Sequence, residues 1–385
     1  MSVIIIGAGM GGLSLAQGLH RAGIACQVYE RDAAPGARVQ GYRLHIDHVG
    51  DSALREVLPP ELHELFRATA GRALPATQIY DERLRRVDEL ILNETGPHLN
   101  INRFTVRQIL LHGLDVSYDK RFTHYAADAG GVTAHFADGS SARGDLLVGA
   151  DGVNSPVRRQ YLPHAEVVDT GLLQLYGRIP LTAHTRKLFD PEMFAVFSMV
   201  VAPDRTMVGF APVDYPEPVA EAAARLVPGL ELRDHEPYMT CAVGARREVV
   251  GLSDAELAAL TPAELQELAL GLVKDFAPRA RAMVEHWDDT ATFPQPIRTS
   301  VPIGPWSPSR VTLVGDAIHA MSPAAGAGAN TALRDGAALA SALAGAPLLD
   351  AVAAYESAMV DYGFAAVRES AANGRRFMGQ NPLPV

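Results

Sequence analysis

The sequence predicts an α/β fold, with parallel-strand units at both ends of the chain and a more antiparallel block between them. Three observations carry this reading. Residues 3–6 (VIII) are a short β-branched run that stops at glycine, as a buried parallel strand does. Residues 310–315 (RVTLVG) repeat that pattern near the other end. The stretch 166–250 between them is rich in Val, Met, Phe and Tyr and is broken by prolines, which suits antiparallel strands.

The elements follow in order. Residues 12–22 carry apolar side chains at helical spacing and end at Gly23, and residues 25–30 (ACQVYE) read as a second strand. This makes a strand–helix–strand unit of about thirty residues. Residues 38–47 read as extended and 51–69 as one helix. Residues 76–92 and 98–103 alternate like antiparallel strands, and 105–114 (TVRQILLHGL) reads as a helix. Turns at Ala129-Gly130-Gly131 and Asp138-Gly139 imply two further strands before LLVGADG. Residues 253–287 are helical, with Ser253 and Thr261 as N-caps. An Ala-rich helix spans about 326–343, and an amphipathic one closes the chain over 349–376. The expected division is discontinuous: residues 1–72 with 102–165 and 288–385 in one domain, 73–101 with 166–287 in the other.

Composition bounds the function. With 385 residues and 48% hydrophobic content there is ample material for two cores. A net charge of -10 favours neither nucleic acid nor an anionic membrane. The two cysteines, Cys26 and Cys241, form no CxxC pair, so no disulfide framework or metal site is expected, and a reducing cytoplasm fits. The first apolar run lacks a basic leader and is broken by glycines, so no signal peptide is read. No stretch approaches the roughly 18 apolar residues of a membrane span.

The chemistry begins at VIIIGAGMGG, which fits G-x-G-x-x-G at Gly7, Gly9 and Gly12. Gly7 permits a tight turn, Gly9 lets backbone approach a pyrophosphate, and Gly12 lets helix pack on strand. The helix N-terminus offers unpaired N–H groups to phosphate. Glu30 ends the next strand, where a carboxylate accepts hydrogen bonds from a ribose and disfavours a 2′-phosphate. The segment therefore predicts FAD or NAD. The segment RVTLVGDAIHAMSPAAGAGANTALRDG favours FAD. Asp316 ends a strand and suits ribityl hydroxyls. The helix starting near Ala329 and Asn330 aims its dipole into the same cleft, where it favours the negative charge of a reduced flavin. A third strand-to-turn segment, DLLVGADGVNSPVR, ends at Asp151-Gly152, and Arg107 on the helix of TVRQILL can reach back to the cofactor.

These three segments, in this order and spacing, resemble the fingerprints of the group A flavoprotein monooxygenases, the p-hydroxybenzoate hydroxylase-like family. That family pairs GxGxxG with an acid-Arg step, here Glu30-Arg31. It has a central DG motif, here Gly149 to Gly152, and a late GD motif followed by proline and glycines, here Gly315 to Asn330. The resemblance implies a Rossmann-like FAD-binding domain of the p-hydroxybenzoate hydroxylase type, an inserted, mainly antiparallel β-sheet substrate domain, and C-terminal helices. It implies that Gly9, Gly11, Glu30, Arg31, Arg107 and Asp316 hold FAD. Pro323, Gly326, Gly328, Ala329 and Asn330 would line the isoalloxazine, Asp151 would serve FAD and NAD(P)H, and Arg43 would be a basic cofactor contact. Ser322 stands where many relatives carry a proline.

The implied activity is single-component: NAD(P)H as co-substrate reduces FAD, dioxygen forms a flavin C4a-hydroperoxide, and an aromatic or polyketide-like small molecule is hydroxylated. No protein nucleophile is required. His45 is a candidate base, with a hydrogen-bonded strand histidine as the plainer reading. Tyr176, Arg178, Phe194, Phe197, Met199, Phe210 and Tyr238 are candidates for a substrate wall. Epoxidation or Baeyer–Villiger oxygenation on the same scaffold, a flavin reductase, and a non-catalytic FAD-binding protein remain open. A halogenase is disfavoured, because Trp287 and Trp306 do not form its WxWxIP motif.

Overall fold

The computed structural model describes residues 1–37, 43–92, 96–233, 235–288, 290 and 292–384. Its first layer is a five-stranded parallel sheet in the order Val311–Leu313, Leu146–Gly149, Ser2–Ile6, Ala25–Tyr29, Val116–Ser117. Ile4, Ile5, Ile6, Leu146, Leu147 and Leu313 are all buried, as expected of strands covered on both faces. A three-stranded antiparallel sheet, Phe122–Asp128, Gly131–Phe136 and Ser141–Gly144, lies between the strands Val116–Ser117 and Leu146–Gly149 in the chain.

Two long helices back the parallel sheet. Met10–Arg21 crosses Gly328–Gly345 closely, because Gly336 lies against Ser14 and Leu15 with no room for a Cβ, and Ser14 donates to the Leu333 carbonyl at 3.0 Å. The final helix, Leu348–Met378, packs on the second of these. Residues 326–343 and 349–376 are thus helical within two residues of the sequence reading.

The second layer is a seven-stranded sheet in the order Phe293–Ser300, Val167–Pro180, Tyr238–Arg246, Met207–Val213, Ala195–Val201, Leu74–Asp81, Arg86–Ile91. All its pairs are antiparallel except Ala195–Val201 with Leu74–Asp81. One face carries Leu173, Leu175, Met239, Cys241, Val243 and Phe210 and packs with helices Pro262–Leu272 and Pro278–Glu285. The other carries Leu172, Met199, Met207, Phe197 and Ile297, and meets Ala324 and Phe377 from the opposite layer.

Several expectations need revision. Residues 51–69 form two helices, His48–Val57 and Pro60–Ala68, because the paired prolines at 59 and 60 end the first and supply the first turn of the second. The strand Leu99–Asn102 does not join residues 76–92; it pairs antiparallel with Arg43–Ile46 and Gly71–Arg72 in a small separate sheet. The extended stretch is observed as Arg43–Ile46, with residues 38–42 outside the described set. The strand-like block 166–250 also holds a helix, Val219–Leu226. Residues 253–287 break into three helices, Asp254–Ala259, Pro262–Leu272 and Pro278–Glu285. Ser253 and Thr261 open the first two with capping boxes to Glu256 and Glu264.

Candidate active site

The first glycine turn joins Ser2–Ile6 to the helix Met10–Arg21. Gly7 has φ +111° and lies against the Ala150 carbonyl, so no other residue fits there. A Cβ at Gly12 would overlap the Gly7 carbonyl, so helix and turn touch directly. Gly9 differs: its nearest neighbour would be the Ala150 oxygen, 3.9 Å away, and that side of the turn is open. The first intrahelical bond runs from the Leu13 N–H to the Gly9 carbonyl at 2.9 Å, leaving the N–H groups before it without helical acceptors. Such an opening, with its unpaired N–H groups, has the chemistry that suits an anion. Gly11 faces the other way, against the Ala332 carbonyl, and serves the helix crossing.

Glu30 is buried beside this turn. Its Oε2 accepts from the Ala8 N–H at 2.8 Å and its Oε1 from the Asp32 N–H at 3.0 Å. Each oxygen keeps a lone pair for a hydroxyl donor. Arg107, on the helix Arg103–Leu111, donates from Nε to the Ala8 carbonyl at 3.0 Å and from Nη1 to the Pro35 carbonyl. It joins the glycine turn to the loop after Glu30. Arg31 is exposed on that loop.

Asp151 follows the strand Leu146–Gly149, with its Cα beside Gly7. Its Oδ2 accepts from the Val157 N–H at 3.2 Å, so part of its role is to cap the helix Pro156–Tyr161. Its Oδ1 is buried without a partner, and burial pushes the carboxyl pKa up.

The late turn is built around a carboxylate that the sequence reading passed over. Gly315 takes φ +62° and Asp316 opens the short helix Asp316–His319 with its side chain exposed. Beneath it, the fully buried Asp335 accepts three hydrogen bonds: from the Gly315 N–H at 2.7 Å, from His319 Nε2 at 2.6 Å and from the Tyr362 hydroxyl at 2.6 Å. Arg334 stacks on the Tyr362 ring, 3.8 Å from its centroid. Burial works against charge on His319, but the carboxylates of Asp335 and Asp316 outweigh it and raise its pKa. The signal for Asp335 was present in the sequence: a lone acid inside the Ala-rich run TALRDGAALA has no reason to be there unless donors face it.

Pro323 begins the 3-10 turn Pro323–Ala325, and Gly326 closes it in the left-handed region. The helix Gly328–Gly345 then makes its first bond from the Thr331 N–H to the Ala327 carbonyl at 2.9 Å. The N–H groups of Gly328, Ala329 and Asn330 therefore lack helical acceptors. The Asn330 side chain is not part of that opening. It accepts from the Asp47 N–H at 3.1 Å and donates to the His45 and Gly326 carbonyls at 3.0 and 3.2 Å, tying the loop to the strand Arg43–Ile46.

That strand brings Arg43 and His45 to one face. Arg43 turns toward the seven-stranded sheet, donating from Nε to Asn100 Oδ1 at 3.1 Å and from Nη2 to the Val196 carbonyl. The ring of His45 lies beside Gly326, and its Nε2 sits 3.0 Å from His98 Nδ1 with the two rings stacked. Burial, the Arg43 guanidinium and His98 push its pKa down to about 3. Of the expected substrate wall, Phe197 and Met199 lie on the face that meets Ala324. Tyr176 stacks on Phe293, with ring centroids 5.5 Å apart, and Tyr238 accepts from Asn102 at 3.1 Å. Phe210 follows the alternative core reading: it is fully buried on the opposite face, 5.6 Å from the Phe189 ring. Phe194 also packs near Phe189 and lines an open groove with Arg72, Leu74 and Pro191. Arg178 is ion-paired with Asp288 at 2.6 Å. Among the described residues no cluster of His, Cys, Asp or Glu could hold a metal.

Two helix N-termini, an acid at the second strand and an acid at the late strand, gathered at one end of a parallel sheet, define a dinucleotide-binding flavoprotein. Comparison with known proteins makes the class specific. The model of the FAD binding domain family matches residues 1–217 and 279–351. The dual O-methyltransferase/FAD-dependent monooxygenase CTB3 of Cercospora beticola is 32% identical over 416 residues, covering 99% of this chain and 47% of that protein. The chain thus spans about half the length of that relative. The FAD-dependent monooxygenase thnD of Trichoderma harzianum is 30% identical over 364 residues, covering 89% of this chain and 83% of that protein. A crystal structure from Photorhabdus luminescens subsp. laumondii, assigned to the FAD-containing monooxygenases, superposes with a TM-score of 0.84 at 32% identity over 98% of both chains. The chain belongs to the FAD-binding monooxygenase family, and FAD is its cofactor.

Proposed function

We propose that this chain is a single-component monooxygenase that uses FAD, NAD(P)H and dioxygen to hydroxylate an aromatic or polyketide-like small molecule. The observation that carries the proposal is the meeting of the Pro323–Asn330 loop with the Phe197, Met199 and Met207 face of the second sheet. A flavin edge held at that loop faces an apolar wall, as oxygen transfer to an apolar ring requires.

Bound FAD supplies the hydride acceptor and the dioxygen chemistry. The chain supplies position. The open side of Gly9 and the N–H groups after it take the pyrophosphate, Glu30 the ribose, and Asp316 the ribityl chain. Arg107 braces the turn through Ala8. The free N–H groups of Gly328, Ala329 and Asn330 favour negative charge at the pyrimidine edge. Residues 1–72, 102–165 and 288–385 form the cofactor body in this scheme, except that the strand Phe293–Ser300 joins the second sheet, and 73–101 with 166–287 cover the substrate.

His45 handles the substrate proton. With Nε2–H donating to His98 Nδ1, its Nδ1 presents a lone pair toward the Gly326 side. Burial and the Arg43 guanidinium keep the ring neutral, so a proton taken up at Nδ1 is matched by release of the Nε2 proton to His98. Cys26 and Cys241 are free thiols, which suits a reducing compartment, and we place the enzyme in the cytoplasm. Among the described residues no helix is long and apolar enough to cross a membrane.

The test is a panel of hydroxylated one- to four-ring aromatics with the FAD-loaded protein, reading stimulated NADH or NADPH oxidation and 18O incorporation from labelled dioxygen. Stimulation with one labelled oxygen in the product is expected. No stimulation across the panel and no labelled product would sink the proposal.

A further inference from the structure

We infer that Arg43 and Asn100 form an anion-recognition site for the substrate, so that the preferred ligand carries an ionised oxygen, a phenolate or a carboxylate, against the small sheet. This rests on the oxygenase reading only for the word substrate. The binding claim stands on the geometry.

Arg43 is a part-buried guanidinium that has no counter-ion among the described residues. Among the described residues it bonds only the Asn100 carboxamide oxygen and the Val196 carbonyl, both neutral acceptors. Those two bonds use Nε and Nη2 and leave the Nη1 group with no acceptor. Burial lowers its pKa to about 10, the mark of a cation that has lost water and gained no anion. The groups around it are His45 on its own strand, His98 on the adjoining segment, and Tyr176 and Tyr238 from the large sheet. Arg178, over the Tyr238 ring, offers the contrast: its charge is met by Asp288 at 2.6 Å.

The neighbour of Arg43 also has an unmet need. Asn100 gives its oxygen to Arg43, while its Nδ2 is buried with no acceptor. On the facing sheet, the register Arg178↔Thr240 and Pro180↔Tyr238 puts Thr240 on the side of Tyr238, and its hydroxyl is likewise buried and unpartnered. A part-buried guanidinium with an accessible, unbonded Nη1, beside a buried amide with a free donor, is a site short of acceptors. A buried polar group left unpaired costs about 1–3 kcal/mol, so an acceptor entering here is rewarded. An anionic oxygen at Nη1 makes charge-assisted bonds and brings the acceptor this corner lacks. A neutral hydroxyl cannot match the charge.

The test uses chromogenic probes and needs no turnover. The FAD-loaded protein is titrated with 4-nitro-1-naphthol, whose anion absorbs in the visible, with 1-hydroxy-2-naphthoate, and with the neutral 1-methoxy-4-nitronaphthalene. Wild type is expected to prefer an anion over the neutral ether by about ten-fold or more, and a bound naphthol to ionise at lower pH than a free one. The two anionic probes tell phenolate from carboxylate recognition. Arg43→Met is expected to abolish the preference and Arg43→Lys to keep part of it. Asn100→Asp, which gives Arg43 an internal counter-ion, is expected to abolish it with the shape conserved. FAD affinity should change less than about two-fold in all three. The inference is overturned if wild type shows no preference, or if the preference survives in Arg43→Met or Asn100→Asp. It is also overturned if Arg43→Met loosens FAD about ten-fold and Arg43→Lys restores it, which would make Arg43 a cofactor contact. Anion preference without any coupled oxygenation would leave this site standing and remove the oxygenase reading alone.

Discussion

The late turn at Gly315 and the seam between the small and large sheets are both buried and polar, yet they are built oppositely. At the turn, one carboxylate, Asp335, takes three donors within 2.7 Å. At the seam, donors outnumber acceptors: Arg43 faces neutral oxygens, and Asn100 Nδ2 and Thr240 Oγ1 have no partner. The turn converges its donors on one buried carboxylate, leaving His319 Nδ1 as its unpartnered atom among the described residues, and is held in one pose. A region that must accept a passing molecule keeps some of its donors waiting. The polar accounting of a fold can therefore separate scaffold from binding surface before any ligand is known.

The comparison breaks most sharply at Asp335. Asp335→Ala strips acceptors from three buried donors at once, and a loss of about 3–5 kcal/mol of stability is expected, with FAD release, read by thermal unfolding and flavin fluorescence. A pH-independent loss below about 1 kcal/mol would show that the turn does not depend on it. Nearly as large, Phe210→Ala should cost about 3–5 kcal/mol, because its ring is fully buried behind the sheet. Phe197→Ala, on the cofactor side, should cost less stability and instead weaken substrate-stimulated NAD(P)H oxidation. Equal effects of the two on both readouts would erase the distinction between the faces.

His45→Gln sharpens the contrast further. It should lower turnover about a hundred-fold for a phenol while leaving FAD affinity unchanged, by a factor that stays constant above about pH 5, where His45 is already neutral. His98→Gln should share that phenotype. The smallest effect is a pH dependence of stability from His319. Its folded pKa is raised, so its contribution is fully present below the unfolded imidazole value of about 6.5 and is lost as pH rises through the folded value. Unfolding between pH 6 and 9 should show a decline that His319→Gln removes; a variant with the wild-type slope would assign the decline elsewhere.

Much of this was legible in the chain. The turn at Gly7 is readable because each glycine meets a local constraint, and Glu30 because it sits one strand further on. The late motif was readable in outline, from Asp316 to the helix at Gly328. The side chain of Asn330 was not: its amide points to Asp47 and His45, far away in sequence, and only the fold reveals that. The pairing of Leu99–Asn102 with Arg43–Ile46 was hidden for the same reason, since alternation marks a strand but not its neighbour. The break at Pro59-Pro60 lay in plain view and was overridden by helical spacing on either side. For Arg43 the resemblance implies a cofactor contact, and spacing alone carries no information about the sheet its guanidinium turns toward, which is the seven-stranded one.

The crossing of Met10–Arg21 on Gly328–Gly345, where Ser14 reaches the Leu333 carbonyl across 319 positions, bears on the protein's synthesis. At about 5–20 residues per second, the glycine turn leaves the ribosome roughly 15 to 60 s before the helix that completes its surroundings. During that interval the nascent chain has half a grip on its cofactor. FAD can therefore find its complete site only after the helix Gly328–Gly345 has emerged and crossed Met10–Arg21.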